Sequence, residues 1–256
     1  MSQAGDFVWY DLMTTDPNGA RDFYGKVVGW GTTEWDGPAP YTLWTSGEQP
    51  IGGVMELPDE ARSAGAPPHW LAYIQTPDVS EACERITSLG GQVLKEPQEI
   101  PDTGSFAIVA DPQGAVFAIY TPTDAQAEQD VTPKPGRFSW HELATENPDG
   151  AWDFYSKAFG WKKTDAMDMG DMGVYQMYGN GKHPLGGMFK RPPDMPVSAW
   201  VYYAMVPDID AAVDQVTANG GQVLNGPMEV PGGDQVAQCM DPQGCVFALH
   251  APSAAS

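Results

Sequence analysis

Val8 to Thr15, VWYDLMTT, reads as a strand, and then apolar residues recur three and four apart at Ala20, Phe23, Tyr24 and Val27. Aromatic, aliphatic and threonine residues suit the strand, and the longer spacing predicts a helix with one apolar stripe. Between them, Asp16-Pro17 offers a carboxylate to cap free amides and a proline suited to the first helical turn, while Gly29 marks the stop. The chain then repeats itself. FVWYDLMTTDPNGARDFYGKVVGW from Phe7 to Trp30 returns as FSWHELATENPDGAWDFYSKAFGW from Phe138 to Trp161. Asn147-Pro148 is its start, Ala151, Phe154, Tyr155 and Ala158 its stripe, and Gly160 its stop.

Short apolar runs between Gly and Pro clusters follow each copy and predict strands and turns: YTLW and GGVMEL in the first half, VYQMY and GGMFKR in the second. A second strand and helix then begin, with stripes at Val79, Ala82, Cys83, Ile86 and at Ile209, Ala212, Val213, Val216, closed by Gly90-Gly91 and Gly220-Gly221. The ends match as ADPQGAVFAIYTP and MDPQGCVFALHAP, each a DPQG turn leading into a strand. Four successive units of one strand, one helix and about three strands therefore predict an α+β fold with antiparallel pairing. The polar segment DAQAEQDVTPKPGR lacks apolar periodicity and sets the boundaries: a first domain at 1–123, a linker at 124–137 and a second domain at 138–256. Two domains suit a chain of 256 residues.

Composition narrows the partners. With 34 acidic and 13 basic residues, a formal charge of −21, the chain repels a phosphate backbone, so nucleic acid is not an expected partner. No apolar run reaches the length of a membrane span and no secretory leader pattern opens the chain, so a cytoplasmic protein without a membrane partner is expected. Cys83, Cys239 and Cys245 have neither zinc-type nor CxxC spacing and predict buried thiols. Dinucleotide, P-loop, nucleophile-elbow and HExxH motifs are absent.

The strand-T-x-D/N-P-x-x-A-x-x-FY-x-x-x-x-GW frame, with helix-GGQV and DPQG-x-VFA at the end of each half, resembles the vicinal oxygen chelate superfamily of glyoxalase, bleomycin-resistance and dioxygenase proteins. The resemblance implies four βαβββ modules, paired two and two into domains with cupped sheets. In metal-dependent members, first and last strands point His, Glu or Gln at a divalent metal inside the cup. Carried onto this chain, those positions fall on Trp9, Glu56, Leu71 and Ala118, and on Trp140, Lys190, Val201 and Ala248. Only Glu56 is a ligand type, so no metal site is favoured. Were a Zn, Ni, Fe or Mn ion held, its donors would come from Glu56, His69, His141 and His250. His141 alternates to the face opposite Trp140 and Glu142, and His183 is expected in a loop.

The expected site is thus organic. Asp11 and Glu142 are candidates for a base or ligand anchor, against a structural role as hydrogen-bonded carboxylates. Tyr120 and His250 are placed to polarise an oxygen. Trp9, Trp44, Trp70 and Tyr73 in one half, and Trp140, Trp200 and Tyr203 in the other, are candidates to line an aromatic pocket. The leading expectation is a protein that binds or sequesters a small organic molecule without the complete metal site. A metal-dependent lyase or dioxygenase with displaced ligands is the alternative, and an interaction protein without a ligand is a third. An enzyme of this family would be a glyoxalase-like lyase or isomerase, or a dioxygenase-like oxidoreductase. Either a monomer or a homodimer is compatible with two halves in one chain.

Overall fold

The computed structural model describes residues 2–37, 41–123 and 130–253. Of the expected linker, residues 124–129 lie outside the described residues. The first half contains β1 (Phe7–Thr14), α1 (Pro17–Val27), β2 (Gly31–Glu34), β3 (Thr42–Ser46), β4 (Gln49–Glu56), a short α2 (Asp59–Ser63), β5 (His69–Gln75), α3 (Val79–Ser88), β6 (Gln92–Ile100), β7 (Gly104–Ala110) and β8 (Val116–Pro122). The second contains β9 (Phe138–Thr145), α4 (Pro148–Phe159), β10 (Lys162–Asp168), β11 (Val174–Gly179), β12 (Pro184–Lys190), β13 (Ala199–Met205), α5 (Ile209–Ala218), β14 (Gln222–Glu229), β15 (Gln235–Met240) and β16 (Val246–Ala251). Each half makes an eight-stranded sheet, in the orders β2-β3-β4-β1-β5-β8-β7-β6 and β10-β11-β12-β9-β13-β16-β15-β14. This is the expected α+β fold.

The helix signals act as anticipated. Asp16 and Asn147 accept from the backbone N–H groups of Gly19 and Gly150, which satisfies amides that a first helical turn leaves open. The buried residues of α1 and α4 are the four predicted in each stripe. In α5, Ile209, Ala212 and Val216 are buried, but Val213 is only half-buried. Beyond β4, Pro58 leads into the short helix α2.

Pairing within each βαβββ module is mixed. β1 runs parallel to β4, with Asp11 beside Gly53, and β9 runs parallel to β12, with Glu142 beside Gly187. The sheets follow the two halves of the sequence. Close backbone packing groups the chain differently, into one unit of residues 1–8, 72–131 and 140–201 and another of 9–71, 132–139 and 202–256.

In the first of these units, the phenol of Tyr155 on α4 donates to Asp111 in the DPQG turn at 3.2 Å and accepts from Trp200 Nε1 at 3.2 Å. The other unit repeats the relay: Tyr24 on α1 donates to Asp241 at 3.2 Å and accepts from Trp70 at 3.1 Å. Each aspartate also accepts two turn amides, those of Gln113 and Ala115 or of Gln243 and Cys245. Desolvation by burial still raises both carboxyl pKa values.

Candidate ligand-binding site

The expected site residues separate into two environments. Trp44, Trp70 and Trp200, read from the sequence as pocket lining, are core. Trp70 and Trp200 donate to the buried phenols just described, and Trp44 packs with its ring centre 5.8 Å from that of Tyr24. The reason is strand parity: Trp70 and Trp200 lie on the face covered by helices, where aromatic rings fill the layer between sheet and helix. Tyr73 is buried with its ring 6.0 Å from Phe106, and the hydroxyl of Tyr203 accepts from Gln238 at 3.3 Å.

Trp9 and Asp11 meet as expected from alternation. Trp9 Nε1 donates to Asp11 Oδ1 at 3.0 Å and to the Tyr41 hydroxyl at 2.9 Å, and that hydroxyl donates to the same carboxylate oxygen. The second half repeats the arrangement. Trp140 Nε1 donates to the Tyr175 hydroxyl at 2.8 Å, and Tyr175 donates to Glu142 Oε2 at 2.9 Å. Burial, with Asp11 alongside, pushes the Tyr41 phenol well above its ordinary pKa, so it remains a donor at neutral pH.

Glycine makes this reach feasible. A Cβ on Gly53 would stand 2.0 Å from the Tyr41 hydroxyl oxygen, and one on Gly187 would stand 2.1 Å from Tyr175 Cε1. Each tyrosine therefore crosses the adjacent strand through the space a side chain would fill. Tyr41 and Tyr175 were not singled out from the sequence. The signal was present, because each precedes its Gly-Gly pair by the same interval in the two halves.

The remaining candidates are dispersed. Tyr120 is buried, donates to the Thr103 carbonyl at 2.8 Å, and is pushed up to about 12 by burial. Glu56 is exposed and pairs with Arg62 at 3.3 Å, a contact worth little in water. His69 Nδ1 lies 2.7 Å from the Pro67 carbonyl. His141 is buried on the other side of its strand from Glu142, stacked 3.8 Å from Phe7, with Nδ1 2.7 Å from the Leu185 carbonyl. Burial lowers its pKa to about 3, so the ring is neutral at pH 7. His183 lies between β11 and β12, in a loop as expected, and from there reaches the buried Asp6 carboxylate at 3.3 Å. His250 lies between Ser139, 2.8 Å from Nδ1, and Asp234, 2.9 Å from Nε2.

Glu56, His69, His141 and His250 are therefore occupied in separate environments. Among the described residues, no group of three or more His, Cys, Asp or Glu side chains is arranged to hold a metal ion. The three cysteines are buried free thiols, and burial raises the pKa of each. Among the described residues, no helix is long and apolar enough to cross a membrane.

Residues 6–119 and 137–249 each match the family model described as Glyoxalase/Bleomycin resistance protein/Dioxygenase superfamily. A protein of Mycobacterium tuberculosis named "Putative glyoxylase CFP32" is 31% identical over 251 residues, covering 96% of this chain and 94% of that protein. The "Anthracycline biosynthesis protein DnrV" of Streptomyces peucetius is 29% identical over 255 residues, covering 94% and 91%. Among solved structures, the Mn(II)-bound glyoxalase from Novosphingobium aromaticivorans aligns with a TM-score of 0.68 at 16% identity, covering 98% of this chain and 83% of that one. The 2,3-dioxygenase LapB from Pseudomonas sp. KL28 aligns at 0.69 and 13% identity, covering 99% and 94%. At those identities the structural likeness is one of fold.

Proposed function

The chain belongs to the Glyoxalase/Bleomycin resistance protein/Dioxygenase superfamily, and from that premise we propose that it binds a small planar organic molecule without a complete metal site. The repeated Trp-acid-Tyr constellation carries this reading: Trp9, Asp11 and Tyr41 in one half, Trp140, Glu142 and Tyr175 in the other. An indole offers a flat apolar surface, while a carboxylate fixed by a phenol orients polar groups on the ligand. The name of the anthracycline biosynthesis relative supports a fused-ring aromatic ligand.

Tryptophan fluorescence is the direct assay, since the chain has nine tryptophans. Saturable quenching by a hydroxylated anthraquinone, weakened about tenfold in a Trp9→Ala, Trp140→Ala double variant, is expected. A flat titration across a broad set of planar aromatics contradicts the proposal. The second reading is a metal-dependent lyase or dioxygenase with displaced ligands, favoured by the Mn(II)-bound structural neighbour. Stoichiometric metal in protein purified without chelator, lost on His250→Ala or His141→Ala, would establish it.

A further inference from the structure

The two halves diverge on their closing strands. Matched through the DPQG turns, Gly104 and Tyr120 of the first half correspond to Asp234 and His250 of the second, and Val8 on the first strand corresponds to Ser139. These exchanges act together. A Cβ on Gly104 would approach the Tyr120 ring to 2.9 Å, so the first half pairs a bulky ring with glycine. The second half pairs a smaller imidazole with a carboxylate that reaches it at 2.9 Å, and supplies a hydroxyl at the other ring nitrogen.

The hydrogen-bond chain has a defined direction. Asp234 accepts from the Ser253 backbone N–H at 2.8 Å, and that bond leads the influences holding its carboxyl below the usual pKa. As an anion it only accepts, so His250 Nε2 carries a proton, and in the neutral form of the ring Nδ1 is then the nitrogen with the lone pair. Ser139 Oγ stands 2.8 Å from Nδ1 and 3.2 Å from the Tyr203 carbonyl. Its single proton can serve either acceptor. A ligand hydroxyl that takes Nδ1 therefore leaves Ser139 with a partner, and the imidazole keeps 16% of its side-chain surface exposed.

We propose that Ser139, His250 and Asp234 form a general-base site in the second half for an acidic hydroxyl, that of a phenol or an enol. This rests on the ligand-binding reading above. The ligand O–H bond breaks, a new N–H bond forms at His250 Nδ1, and the oxygen retains the electron pair as phenolate or enolate. The imidazolium is stabilised through Nε2–H by the Asp234 carboxylate. Return of the proton restores both partners, so no oxidant or co-reactant is consumed. The first half has Val8, Gly104 and Tyr120 in these places and lacks the base.

The test uses 4-nitrophenol and its methyl ether, 4-nitroanisole, with the full chain, at a pH where the free phenol is mostly neutral. Equilibrium dialysis gives affinity and the absorbance of bound phenol gives its ionisation. Bound 4-nitrophenol is expected to show the phenolate band. His250→Gln should abolish it and weaken phenol binding about tenfold or more, with anisole binding changed less than about twofold. Asp234→Asn, a change at a side chain with 38% of its surface exposed, should diminish the band and lower the preference for phenol over anisole. Nitrogen-15 spectra provide a readout independent of ligand: Nε2 protonated and Nδ1 bare. Binding of both probes without a phenolate band, a band that survives His250→Gln, or a proton on Nδ1 overturns the general base and leaves the binding reading standing. Failure of both probes to bind wild-type protein removes the base together with the binding reading it rests on.

Discussion

His141 stands beside Glu142 in a repeated strand, a pattern that invites a metal assignment, yet its ring lies against Phe7 and its pKa is lowered to about 3. The sign of its contribution follows. The folded state holds the ring neutral while the unfolded chain takes a proton near the ordinary value of 6.5, so the contribution is present above that value and is lost as pH falls toward 3. Between pH 7 and pH 5 this amounts to about 2 kcal/mol. Urea titrations at the two pH values should show that loss in wild type and a smaller one in His141→Gln; equal losses would contradict a buried neutral imidazole. Alternation alone separates His141 from Glu142 in the sequence. It does not identify which face of a strand the helices cover, which is why Trp44, Trp70 and Trp200 look like pocket lining until Tyr24 and Tyr155 are placed beside them.

At the scale of elements, β4 and β12 owe their Gly-Gly pairs to close approach. Gly53 and Gly187 lie beneath the tyrosines that reach the first-strand acids, while a Cβ on Gly52 would stand 2.0 Å from the Tyr10 carbonyl oxygen. Gly53→Ala should displace Tyr41 and cost about 1–3 kcal/mol, an overpacking effect. Chemical denaturation measures it, and a change within about 0.5 kcal/mol would mean that Tyr41 has another position of similar energy. The helices were legible because Pro17 and Pro148 follow capping residues and four apolar side chains keep one face. The tyrosine bridges were not, because contacts across a sheet depend on register, which a single strand's pattern does not encode.

At the scale of the molecule, duplication reveals the two sheets, but the compact groupings combine 72–131 with 140–201 and 9–71 with 202–256. An apolar stripe shows that a helix must be covered without showing which segment covers it. Within the second grouping, Tyr24 and Asp241 join residues far apart in sequence, and Asp241→Ala would strand the phenol and the Gln243 and Cys245 amides. The expected loss is about 3 kcal/mol, read from the urea midpoint, because buried donors without acceptors keep their desolvation cost; an unchanged midpoint would remove the relay from the account of stability. The central proposal concerns ligand rather than fold, namely that this family member binds a planar organic molecule through Trp-acid-Tyr faces and needs no metal to do so. The most direct measurement is titration calorimetry of chelator-treated protein with a hydroxylated anthraquinone. Saturable heat that is unchanged by added Mn(II) and falls about tenfold in affinity in a Glu142→Gln, Asp11→Asn variant is the expected result. Binding seen only after metal is restored, or binding indifferent to both acids, would contradict it.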